Sequence, residues 1–313
     1  MKWGFYVAYL HENTELFGEI VTETANRLCV PEAMVEKDYY VTMLLRNMTN
    51  KLPYLVFKGG TSLSKCYKVI QRFSENIDLT SDKELTQGQR SNLKKVICGV
   101  VDELGLSVDN LRETHSRRNF NRYDIAYSPI VAVSELTSRI LIETSVMSLG
   151  IPFHEMPVES MLVEVLKDRY TNIIEEFSLQ PFEMKVQSIE RTFIDKIFAI
   201  CDYYMSAQTE RHSRHLYDIA KIWENISPDG TFRDLIETVR IARRDVKNCP
   251  SAQIEVDVST VLCEIIEKNV YQMDYEKLTR NLLAESFSYA NAISKLREIA
   301  DRNLFYIISV MHI

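Results

Sequence analysis

Apolar positions first recur at helical spacing between residues 13 and 50. Leu16, Phe17, Ile20, Val21 and Ala25 mark one face, and Asn13 or Thr14 is placed to cap it. Pro31 opens a second helix with Met34, Tyr39, Tyr40, Met43, Leu44 and Leu45 on its apolar side. Glu36, Lys37 and Asp38 interrupt that side, and amphipathicity does not account for them. From Pro53 the pattern shortens. Tyr54-Leu55-Val56-Phe57 reads as a strand stopped by Gly59-Gly60, after which Thr61 or Ser62 caps a helix with Leu63, Cys66, Tyr67 and Ile70 as its buried stripe. Beyond Arg72, the run Asn76-Ile77-Asp78-Leu79-Thr80 alternates. Ile77 and Leu79 take one face and the polar residues the other, so that polar side chains converge on one site.

Residues 83–104 read as helix. Arg122-Tyr123-Asp124-Ile125-Ala126-Tyr127 and Arg139-Ile140-Leu141-Ile142-Glu143-Thr144 read as neighbouring strands of one sheet. Gly150, Pro152 and Pro157 break the order, and Pro181 marks a loop, after which everything reads as helical: 189–206, 216–225, 232–247 and further segments to about Tyr306. This divides the chain into a domain over 1–170 and a helical domain over 171–313, without an internal repeat at a period of about 20 to 50 residues.

Composition narrows the function classes. The 313 residues are 46% hydrophobic with 9 Gly and 8 Pro, which excludes disorder and low-complexity arrays. The net charge of −7 argues against a protein that coats nucleic acid non-specifically, so any RNA site must be local. Cys29, Cys66, Cys98, Cys201, Cys249 and Cys263 have no metal-ligand spacing and read as reduced, mostly buried thiols of a cytoplasmic protein. The apolar start, Trp3 to Leu10, is short, aromatic and without a cleavage signature, and no run is long enough to span a membrane.

The stretch from Val56 to Thr80 carries the chemistry: strand, glycine turn, helix, strand. Glycines at a helix start let backbone approach a phosphate, and Thr61 and Ser62 add hydroxyls. Asp78 on the next strand would hold Mg²⁺ bridging those phosphates. The P-loop, the dinucleotide fingerprint and the kinase set are absent. Standing alone, Gly59-Gly60 is equally well a plain turn.

Together these residues resemble the AbiEii-type nucleotidyltransferase toxins, within the polymerase-β-like nucleotidyltransferase superfamily. The resemblance is carried by Phe57-Lys58-Gly59-Gly60-Thr61-Ser62-Leu63-Ser64-Lys65, by Arg72-Phe73-Ser74-Glu75-Asn76-Ile77-Asp78-Leu79 and by Glu36-Lys37-Asp38-Tyr39. Glu190-Arg191-Thr192-Phe193-Ile194-Asp195-Lys196-Ile197 and Arg214-His215-Leu216-Tyr217-Asp218-Ile219 look like the two helical motifs. The resemblance implies an α+β fold, a small mixed-sheet nucleotidyltransferase core with flanking helices and then a mostly α-helical domain. It implies Mg²⁺ (or Mn²⁺) and a nucleoside triphosphate (NTP) substrate, transfer to an RNA acceptor such as the 3′ end of tRNA, an AbiEi-like antitoxin and a role in phage defence. Lys58, Gly59, Gly60, Thr61, Ser62 and Lys65 fall to phosphate binding, Asp78 to metal binding, and Lys196 to the triphosphate. Asn76 stands where the family has an acid; it offers a carbonyl oxygen but no charge.

Glu143 is either a further metal ligand or base, or an ordinary acid at a sheet edge. Read from the residues alone, Lys196 is a solvated lysine and Asp218 a helix-surface acid; with the resemblance, Asp218 touches nucleotide or orients a basic partner. His212 and His215, with Asp218, have a spacing that a transition metal can use. Arg211 and Arg214, and separately Arg117, Arg118 and Arg122 among aromatics, suit RNA phosphates and bases, although each cluster taken alone reads slightly better as scattered solvated arginines. The alternatives are a catalytically weakened module that binds nucleotide or antitoxin, and nucleotide transfer to a small molecule.

Overall fold

The computed structural model describes residues 9–72, 76–131, 138–246 and 248–305. Most of the apolar start, the Phe73-Ser74-Glu75 part of the motif, Lys247 and the chain from Tyr306 onward lie outside the described residues. The chain forms two compact units: Met1–Thr61 with Glu75–Val186, and Ser62–Ser74 with Gln187–Ile313.

The first unit is built on a seven-stranded sheet. Its strands are β1 (Leu55–Lys58), β2 (Asn76–Ser81), β3 (Ser107–Val108), β4 (Phe120–Ala126), β5 (Arg139–Ser145), β6 (Phe153–Val158) and β7 (Phe182–Gln187), in the order β3-β4-β5-β2-β1-β7-β6. The sheet is mixed: β1 pairs antiparallel with β2 and β4 with β5, whereas β2 runs parallel to β5 and β1 to β7. Alternation decides the faces. Ile77, Leu79, Tyr123, Ile125, Ile140 and Ile142 are buried on one side, and Asn76, Asp78, Arg122 and Glu143 occupy the other. The fold is α+β, as expected.

Helices α1 (Thr14–Leu28), α2 (Glu32–Lys51), α3 (Gly59–Lys65) and α4 (Gln87–Glu103) accompany these strands. The Asn13 side chain caps α1 by accepting from the Leu16 N–H, and Thr86 with Gln89 forms a capping box on α4. The charges that interrupt the apolar side of α2 are turned inward. Glu36 and Lys37 are buried, Glu36 accepts from the Ile130 N–H at 2.9 Å, and Asp38 accepts from the Met161 N–H at 2.7 Å. Glu36 and Asp38 thereby fasten chain segments to α2.

In the second unit, α7 (Ile189–Met205), α8 (Arg214–Trp223), α9 (Gly230–Arg244), α10 (Val258–Glu267) and a final helix Tyr289–Asp301 share one apolar core, to which Leu63 and Ile70 contribute. Two shorter helices, α5 (Met161–Leu166) and α6 (Thr171–Glu176), belong to the first unit.

Three local expectations are corrected. Pro152 and Pro157 do not end the sheet: β6 carries Pro157 at the margin of the strand order, where a missing N–H is tolerated. Beyond Pro181 the chain is not immediately helical, because Met184 and Val186 point into the core as part of β7. The helix after the glycine pair begins at Gly59 itself and ends at Lys65, so Ile70 is buried from a loop; Lys68 there adopts φ 55°. Of the thiols, only Cys201 and Cys249 are buried.

Candidate active site

In the sheet unit, register brings four charged residues into one row. Lys58 on β1 pairs with Asp78 on β2, Asp78 with Glu143 on β5, and Glu143 with Arg122 on β4. Lateral partners share a face, so the row lies on the side left open by the core, with neighbouring strands about 4.8 Å apart. Two carboxylates are therefore adjacent and flanked by two cations. Asn76, two residues before Asp78, projects from the same face. Glu143 is not a sheet-edge acid, because β5 lies between β4 and β2.

The β1–α3 turn is shaped around Asp78. Gly59 has φ +77°, and a Cβ there would lie 1.9 Å from Asp78 Oδ2 and 2.7 Å from its Cγ. Only glycine permits both the backbone angle and the carboxylate against it. Gly60, Thr61 and Ser62 are buried, and the Thr61 hydroxyl donates to the Asn76 carbonyl at 2.5 Å. That bond ties the start of β2 to α3.

In the helical unit, Asp218 on α8 is wholly buried and ion-paired twice. Arg72 donates Nε to Oδ1 at 2.6 Å and Nη2 to Oδ2 at 2.7 Å, and Lys196 on α7 donates Nζ to Oδ2 at 2.7 Å. Burial alone would raise the Asp218 carboxyl. The charges of Arg72 and Lys196, with their hydrogen bonds, outweigh it and hold that carboxyl well below the usual carboxylate range. Lys196 is 6% exposed, so the solvated reading of this lysine is overturned, as is the surface reading of Asp218. Two cations against one carboxylate leave the cluster with net positive charge. His215 sits beside it, its imidazole kept neutral by burial and by the charges of Lys196 and Arg214. The Tyr203 and His212 rings stack at 3.5 Å with 8° between their planes.

The histidine–aspartate spacing does not make a metal site. Asp218 is committed to its cations, and among the described residues no group of three or more His, Cys, Asp or Glu side chains could hold a metal ion. Arg118 and Arg122 line one cavity beside Phe120 in the sheet unit, and Arg117 is exposed nearby in sequence. Arg211 and Arg214 belong to the helical unit, where the Arg211 N–H is anchored on Asp274 at 2.7 Å. Lys65 ends α3 and, with Ser62, is counted in the helical unit. Sequence reasoning noted Arg72 only as a motif letter and missed its part as the bidentate partner of Asp218. Its one signal was an arginine directly before a polar-faced strand.

The sheet unit thus carries two adjacent acids behind a glycine turn, and the helical unit carries a buried cationic cluster. A family model described as "Nucleotidyl transferase AbiEii toxin, Type IV TA system" matches residues 44–299, and the chain belongs to that family. It is thereby a nucleotidyl transferase of the toxin class of type IV toxin–antitoxin systems. The Glu36-Lys37-Asp38-Tyr39 segment lies upstream of the matched residues. No curated protein matches the chain. Among the described residues no helix is long and apolar enough to cross a membrane.

Proposed function

We propose that the protein transfers a nucleotide from a nucleoside triphosphate to the 3′ end of an RNA, with tRNA as the acceptor the resemblance favours, in a reaction dependent on Mg²⁺ or Mn²⁺ and restrained in the cytoplasm by an AbiEi-like antitoxin. The observation that carries this reading is the register pairing of Asp78 with Glu143 on the open face of the sheet. Two carboxylates one strand apart, with the Asn76 amide oxygen on the same face, make an all-oxygen donor set of the kind hard divalent cations take. The clearance at Gly59 supports the fit, since any side chain there would push the Asp78 carboxylate aside. When bound, such an ion offsets the negative charge that develops on the transferred phosphate.

The chain's own residues then have distinct tasks. Glu143 accepts the proton of the acceptor hydroxyl as its oxygen bonds to the α-phosphorus and the bond to the pyrophosphate breaks. Lys58, in register beside Asp78, offsets the two carboxylates and favours an anionic substrate. Gly60 and Thr61 shape the phosphate turn. In the helical unit, Lys196 is the cation offered to phosphate, with Asp218 and Arg72 fixing its position. Most of the rate comes from positioning and charge.

A second reading, a weakened module that binds nucleotide or antitoxin without turnover, is favoured by Asn76 in place of an acid. One experiment separates the two: total bacterial RNA, Mg²⁺ and each α-labelled NTP in turn, with the parent protein and with Asp78→Ala. Label should enter RNA with the parent and not with the variant. Label only in a small molecule, or in nothing, overturns the RNA reading.

A further inference from the structure

We infer that the N-terminal end of β4 holds the last nucleotides of the acceptor on its exposed face, with the Phe120 ring as the stacking platform for a base and Arg118 and Arg122 as its phosphate contacts. This rests on the reading above that the acceptor is RNA. Phe120 is 50% exposed on a strand whose alternate residues Asn121, Tyr123 and Ile125 are buried. Arg122 is the next residue on the same face, its side chain 49% exposed. Through Glu143 its register leads to Asp78, two strand spacings or about 10 Å away. An acceptor lying along this row has its end at the carboxylates and a preceding base over Phe120.

Charge complementarity selects the occupant. The stretch from Arg112 to Asp124 has Arg112, Arg117, Arg118 and Arg122 against Glu113 and Asp124, in a chain of net charge −7. Arg122 currently pairs with Asp124 at 2.8 Å, an exposed pair of little strength that a phosphate can replace. A cavity of about 390 Å³ opens beside Phe120, Arg118 and Arg122, with Glu113 and Asp124 also in its lining; it is within the range of small-ligand sites and roomy enough for a nucleobase, and the positive excess comes from the wider stretch that includes Arg112 and Arg117. The frame around it is held by polar bonds. The Asn121 side chain binds both the N–H and the carbonyl of His115, at 2.9 and 3.1 Å, and the Asn110 side chain binds the Arg122 carbonyl and the Asp124 N–H. One aromatic ring set between arginines suits single-stranded nucleic acid, which binds by stacking and phosphate contacts.

The test uses the full chain and a short 5′-fluorescein single-stranded RNA with a free 3′ hydroxyl, read by anisotropy without NTP and then by transfer of label. Phe120→Ala is expected to weaken binding roughly 5- to 150-fold, the range for loss of one stacked base, and Phe120→Trp to retain it. Arg122→Ala should reduce the salt slope of binding by about 0.7, as for one single-strand phosphate. In transfer, Phe120→Ala should raise KM for RNA and leave KM for NTP unchanged. If the parent labels RNA and all three variants match it in binding and KM, the platform is overturned while the transferase reading stands; this includes the case of a face that binds protein. If the parent binds RNA in a Phe120-dependent way but labels none, the platform stands and the transfer reading falls.

Discussion

Oδ2 of Asp78 occupies the place where a Cβ atom on residue 59 would stand, 1.9 Å from it, so Gly59 and Asp78 form a single structural feature. Gly59→Ala must either move the carboxylate or unwind the turn. It also places an L side chain at φ +77°, a left-handed conformation that costs about 1–2 kcal/mol. We expect stability in urea to fall by about that amount and nucleotide transfer to fall at least ~100-fold, the scale of a 1 Å misplacement. Full transfer activity in a folded Gly59→Ala protein would remove Asp78 from the catalytic centre.

Asp218 predicts a different profile, because its function is to neutralise buried cations. Asp218→Asn leaves Arg72 and Lys196 facing each other without a counter-charge, and loss of one partner of a buried pair costs about 3–5 kcal/mol. Lys196→Met keeps the bidentate Arg72–Asp218 pair and should cost less stability while impairing transfer more. Urea titrations with single-turnover kinetics on both variants check this. Equal stability losses would mean that Lys196, not Arg72, is the main support of Asp218.

Local pattern carried much of this far. Alternation in Asn76–Thr80 and 139–144 put Asp78 and Glu143 on polar faces, and the caps at Asn13 and Thr86 follow ordinary rules. Nothing local reveals that β2 and β5 run side by side with Asp78 opposite Glu143, since parallel pairing joins segments separated by a long crossover. The buried charges were opaque for a related reason. Glu36, Lys37, Arg72, Lys196 and Asp218 look solvated by composition, and only long-range packing and partners make burial affordable, although the resemblance to the family's motifs singles out most of them. Strand β7 carries its own signal, Phe182, Met184 and Val186 at alternate positions, which the reading of Pro181 as a loop followed only by helices overrides. Phe120 is legible only as one of the aromatics among Arg117, Arg118 and Arg122; its exposure depends on which face of β4 the core takes.

Asn76 allows a gain-of-function experiment. Asn76→Asp adds a carboxylate on the open face two residues from Asp78 and raises the charge of the donor set, which tightens divalent cation binding. We expect the Mg²⁺ concentration for half-maximal transfer to fall and turnover to rise. Mn²⁺ binding followed by paramagnetic relaxation gives a readout independent of activity. Unchanged cation affinity in both measurements would place the ion elsewhere than the β2–β5 face.

Acid should destabilise this protein through its histidines before its carboxylates. Burial lowers the His11 and His212 imidazoles, and burial with Lys196 and Arg214 lowers His215 well below its ordinary 6.5. Asp218 and Arg72 also face His215, the first opposing the shift and the second adding to it. These rings stay neutral in the folded chain while the unfolded chain takes up protons below about 6.5. Their contribution is complete above that pH and is lost as pH falls from there toward the folded values. Asp218 extends the loss: its carboxyl is held below the usual 3.8, so the unfolded state again binds more protons in stronger acid. Glu36 opposes this modestly, since burial raises its carboxyl and the folded state protonates first. The melting temperature should therefore fall between about pH 7.5 and about pH 5. His215→Gln, which removes the largest of the three imidazole shifts, should flatten that fall. A profile equally steep in His215→Gln would show that this ring does not remain neutral beside Lys196.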